Sequence, residues 1–84
     1  MNNKNTIDDE IRVYQNSNGL ITVNCSKRIV DRGIVSVYNA VGQKLYNKVL
    51  TNTSTILDKT LKSGVYMISV VSNGKTITRR VVLN

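Results

Sequence analysis

Side-chain catalysis needs a nucleophile with a base, or a set of metal ligands, and this sequence offers little of either. Its 84 residues hold no His and a single Cys. Cys25 therefore has no imidazole to activate it, no partner for an intrachain disulfide and no Cys/His set to join. On the apolar face of a strand it reads as a small core filler. The only acid cluster, Asp8-Asp9-Glu10, sits in a polar leader, where a carboxylate cannot be desolvated to shift its pKa. Gly42 and Gly74 fall in hairpin turns rather than in a phosphate-cradling loop that opens a helix. The residues predict no catalytic, cofactor-binding or metal site, so the expected work is to bind and be recognised.

Charge narrows the partner. Twelve Lys and Arg against five acids give a net charge of +7, which raises nucleic acid or an anionic surface as a target. The cations are scattered over most of the chain, and four separated Tyr are a poor supply of stacking platforms. A solvated basic surface with no nucleic-acid partner is the expectation. No apolar run approaches the roughly 18 residues of a membrane span. Residues 1–10 lack the apolar centre of a signal peptide and read as a polar linker or an added start. The domain itself is expected over residues 11–84.

Two stretches carry specific chemistry. Leu61-Lys62-Ser63-Gly64-Val65-Tyr66 places a Leu, a Gly and a Tyr just before a strand, as in a tyrosine corner of Greek-key sandwiches. There the Tyr hydroxyl bonds to backbone a few residues upstream, and Gly64 supplies the backbone freedom. The second stretch is the final strand. Ile77, Val81 and Leu83 share one face with Arg79, while Thr76, Thr78, Arg80 and Val82 take the other. Strict alternation aims Arg79 at the core, where an unpaired charge is costly. Snorkelling past the rim, a bulge, or an edge position with an inward charge would each resolve this. All three put the strand at a sheet boundary, where it could meet a partner.

The elements that must position these stretches are strands. Val, Ile and Thr make up 28 of the 84 residues and Ala occurs once, as Ala40; β-branched side chains favour pleated, half-buried surfaces. With no Phe, Trp or Pro, the core is built from Val, Ile and Leu with a few Tyr. A chain this short buries only about 60–65% of the surface its unfolded form exposes. Alternation and turn residues predict seven strands: 11–15, 20–26, 34–39, 44–50, 54–58, 65–72 and 75–83. A charged segment, residues 27–33, crosses between the second and third. Asn73-Gly74 between two such runs predicts a type I′ hairpin. The reading is all-β: an immunoglobulin-like β-sandwich of about seven antiparallel strands in two sheets. A small oligonucleotide-binding barrel is the structural alternative.

Three segments together resemble a known family. They are Ile34-Val35-Ser36-Val37-Tyr38-Asn39-Ala40-Val41-Gly42-Gln43-Lys44-Leu45, the Leu61–Tyr66 box, and Thr78-Arg79-Arg80-Val81-Val82-Leu83-Asn84. As a set they resemble the type A C-terminal sorting domain of the type IX (Por) secretion system, over residues 11–84. Two departures exist. Val13-Tyr14-Gln15-Asn16-Ser17 lacks the two prolines common in the family's first motif. Ile56-Leu57-Asp58 exchanges the last two characters of an apolar-acidic-apolar triplet. The resemblance implies an immunoglobulin-like tail without catalysis or cofactor, carried by an N-terminal cargo in cis. It implies passage through the periplasm, recognition by outer-membrane translocon, shuttle and sortase components, and removal of the tail at the cell surface. It also carries a translocation role onto Arg79, Arg80, Val81, Val82, Leu83 and Asn84. A generic immunoglobulin-like adhesion or carbohydrate-binding module is the functional alternative, and a basic nucleic-acid-binding barrel the third reading.

Overall fold

Two hairpins of the same design set the first half of the chain. The computed structural model describes residues 11–30 and 32–84; the expected linker 1–10, with its acid cluster, lies outside them. Strands β1 (Ile11–Gln15) and β2 (Ile21–Cys25) pair antiparallel, as do β3 (Ile34–Asn39) and β4 (Lys44–Val49). Each turn is built on an Asn with a Gly three residues later. Asn16 Oδ1 accepts from the amides of Asn18 and Leu20 at 2.9 and 3.0 Å. Asn39 Oδ1 accepts from Val41 and Gln43 at 3.1 and 2.9 Å. Gly19 and Gly42 take φ of 81° and 89°, which only Gly reaches at no steric cost. The Asn carboxamide thus replaces the backbone partners that a tight turn strips from its amides.

Strands β5 (Ser54–Leu57), β6 (Gly64–Ser72) and β7 (Lys75–Leu83) complete the set. Their order is β1-β2-β5 in one sheet and β4-β3-β6-β7 in the other, every neighbour antiparallel. The chain passes from one sheet to the other between β2 and β3, β4 and β5, and β5 and β6. The described residues form a seven-stranded sandwich, and the two separate sheets set aside the barrel alternative. Inward side chains of both sheets form the core, with Val23, Val35, Val37 and Ile68 fully out of solvent. The β6–β7 hairpin turns through Asn73 and Gly74 at φ of 53° and 80°, the two positive values of a type I′ turn.

The crossing segment departs from the sequence expectation. Lys27–Val30 forms one helical turn, α1, and buries Ile29. A single turn is too short to show a 3.6-residue period, which is why alternation missed it. Gly33 closes this segment: its amide donates to Val30 O at 3.0 Å and its carbonyl accepts from Leu50 N at 2.8 Å. A Cβ on Gly33 would lie 2.5 Å from Ile29 O and 2.6 Å from Leu50 Cδ1. Leu50 leaves β4 and plugs the core instead of extending the strand.

The register also fixes the poles of the sandwich. Asn39 stands opposite Tyr66, Gly64 opposite Leu83, and Asn84 N donates to Gln15 Oε1 at 3.2 Å. One pole therefore gathers both Asn turns, the segment before β6 and the end of β7. Ile11 stands opposite Cys25, whose amide donates to Thr53 O at 2.8 Å, and Ile34 opposite Val71. The start of β1, α1 and the 73–74 turn share the other pole.

Candidate functional site

Backbone geometry at Gly64 prepares the box ahead of β6. Its φ of 151° lies where L side chains rarely go. The chain then turns so that Tyr66 points inward, 8% exposed, while Leu61 packs half-buried against the core. The Tyr66 hydroxyl donates to Lys62 O at 2.7 Å. One side chain thus ties the connection between the two sheets to the strand it enters.

Strand β7 is an edge of the four-stranded sheet. It pairs with β6 from Ser72↔Lys75 to Gly64↔Leu83 with no shift of register, so no bulge re-aims its arginines. Arg79 stays on the core-side face, opposite Ile68 and half-buried, and its Nη1 donates to Thr78 O at 3.0 Å. Val81 and Leu83 are core residues. Arg80, Val82 and Asn84 are exposed. The six terminal residues singled out in the sequence thus divide between the core, the rim and the surface. In a two-residue hairpin Ser72 and Lys75 exchange hydrogen bonds, so the alternating pattern turns the backbone groups of Thr76, Thr78, Arg80 and Val82 away from β6, on the side where β1 packs.

The opposite edge is guarded by side chains. Tyr46 OH donates to Asp58 Oδ1 at 2.9 Å and Lys48 Nζ to the Ile56 carbonyl at 3.1 Å. Both reach from β4 over the outer edge of β5, and a Lys at a strand edge opposes mispairing. The hydrogen bond from Tyr46, with the charge of Lys48, holds the Asp58 carboxyl below its ordinary range. Desolvation lifts the Tyr46 phenol, and Asp58 adds to the rise through its hydrogen bond and its charge. Burial likewise pushes the Cys25 thiol up. That shift suits a core filler and works against a thiolate nucleophile.

Sequence reasoning gave Asp58, the only Asp or Glu among the described residues, no role beyond its place in the Ile56-Leu57-Asp58 triplet. Among the described residues no group of three or more His, Cys, Asp or Glu could hold a metal ion. No described helix is long and apolar enough to cross a membrane.

The described residues thus form a basic sandwich in which β7 ends its sheet and packs beside β1. The family model described as a secretion system C-terminal sorting domain matches residues 3–84, and the chain belongs to that family. It is a C-terminal sorting signal for type IX secretion, so its partners are that machinery and a cargo in cis, and it serves export to the cell surface or beyond. No curated protein and no solved structure matches the chain.

Proposed function

We propose that residues 11–84 are a removable tail, joined to an N-terminal cargo through residues 1–10. The cargo and tail pass through the periplasm, and the folded tail engages outer-membrane translocon and shuttle components before a cell-surface sortase cleaves it. The tail performs no catalysis of its own. Leu61, Gly64 and Tyr66 serve as the structural corner, and Arg79, Arg80, Val81, Val82, Leu83 and Asn84 form the recognition strand. One observation carries this reading: β7 is an edge strand whose Arg80, Val82 and Asn84 remain exposed. Within the strand, Val81 and Leu83 anchor while their neighbours present. No observation favours an adhesion or carbohydrate-binding module.

Transplantation tests it. Residues 1–84 are fused behind a periplasmically exported reporter in a bacterium that has the pathway, and reporter outside the cell is measured. The intact fusion is expected to cross the outer membrane, and removal of Val81–Asn84 to retain it in the periplasm. Export unaffected by that truncation would overturn the terminal-strand assignment.

A further inference from the structure

The outer face of the four-stranded sheet does not look like a surface meant for water. A solvated antiparallel face is ordinarily polar. Here the register sets Val49, Ile34 and Val71 side by side across three strands. Val65 and Val82 form a second apolar pair at the other end of the face. These five residues are 39–58% exposed and make up five of the eight exposed large hydrophobics of the described chain. Single exposed apolar residues need no explanation, but contiguous rows do.

Between the apolar rows run two others. Exposed Asn47 and Thr78 flank buried Ser36 and half-buried Ser69 in one polar row. Beside it Lys44 pairs with Tyr38, its Nζ 5.9 Å from the ring centre, and Tyr38 leads through Met67 to Arg80. The face thus has aliphatic ends, a hydrogen-bonding middle and two cations, and among the described residues it bears no carboxylate.

We propose that this face is the docking surface for a protein partner that presents carboxylates among aliphatic side chains. The proposal rests on the sorting-signal reading for the existence of a partner, and on the face itself for the partner's chemistry. Charge complementarity selects it: among the described residues both charges on the face are positive, and the whole chain carries a net charge of +7. A second copy of the chain is a poor occupant, because the same face on it adds two more cations and, among the described residues, no carboxylate to meet them. A lipid surface could meet the cations and the valines, but it supplies no matched partners for the polar band between them. A protein can supply all three, and burying Arg80 and Tyr38 among aliphatic groups suits the residue types that anchor protein interfaces.

The reporter fusion of residues 1–84 tests this with two paired variants, Ile34→Asp with Val71→Asp and Lys44→Glu with Arg80→Glu. Each pair is expected to cut export about tenfold or more through repulsion and lost apolar contact, while thermal unfolding of the purified chain stays cooperative. Ile56→Asp, exposed on the outer face of the other sheet, is expected to export as wild type. Should a pair unfold the chain, Lys44→Gln with Arg80→Gln replaces it. A photoreactive side chain at position 71 should give a protein adduct in exporting cells that Lys44→Glu with Arg80→Glu abolishes. Normal export of both folded pairs, with Val81–Asn84 truncation still blocking it, overturns the face and leaves the signal standing. Failure of the wild-type fusion to export would count against the signal itself. Sedimentation of the wild-type chain with phosphatidylglycerol vesicles, lost in the Ile34/Val71 pair, would assign the face to a lipid surface. A concentration-dependent dimer lost in the same pair would assign it to a second copy. Either result overturns the proposal.

Discussion

Tyr66, Gly33 and the Tyr46–Asp58 pair show how much single groups hold in so thin a core. Tyr66→Phe removes the bond to Lys62 O while keeping the ring, and is expected to lower unfolding free energy in urea by about 1 kcal/mol. Gly33→Ala forces a methyl into contact with Ile29 O and Leu50, and should cost about 1–3 kcal/mol in the same measurement. Wild-type stability in Gly33→Ala would mean that α1 can shift freely. Asp58 has a depressed folded pKa, so its contribution is present above its unfolded value, near pH 4, and fades as pH falls through the folded value. Tyr46 has a raised folded pKa, so its contribution is present below its unfolded value, near pH 10, and fades as pH rises through the folded one. Tyr46→Phe is therefore expected to flatten both limbs of the unfolding midpoint against pH, and an unchanged profile would show the pair to be idle.

At the scale of the element, the turns rather than the strands specify register. The Asn16 and Asn39 carboxamides are both half-buried and make equivalent bonds in the two hairpins, but Asn16 also donates to buried Thr22 Oγ1 at 3.1 Å, whereas Asn39 donates to exposed Gln43 at 2.9 Å. Asn16→Ala is accordingly expected to destabilise by about 1–3 kcal/mol and Asn39→Ala by about 1 kcal/mol, read from denaturant midpoints. Equal effects would show that the Thr22 bond contributes nothing. Strand positions were legible in the sequence because alternation and turn residues agree along most of the chain. The limits of β1, β3 and β7 match the expected ones, while β2, β4 and β5 are trimmed and β6 begins one residue earlier. What alternation could not reveal was α1, too short for a period, and the bulge between Val37 and Tyr38, which adds Leu45 to β4 without changing composition.

Across the whole molecule, the sandwich was readable from the sequence and its exposed faces were not. Alternation says that Ile34, Val49 and Val71 face away from the core, but only pairing across three strands makes them neighbours. Arg79 was a legible anomaly; the strand order turns it into a rim residue of an edge strand. The net charge of +7 should make association with an acidic partner fall with added salt.

The opposite placement of Ile11 and Leu83 has a mechanical meaning. A load pulled from ahead of β1 and held beyond β7 draws the chain apart along the strand axes. The nine-residue β6–β7 ladder and the shorter β1–β2 ladder would then be sheared, each giving way as a block of bonds rather than unzipping one bond at a time. A domain of this geometry can bear tension between its two ends, and loss of the last four residues would shorten the β6–β7 ladder from its Leu83 end.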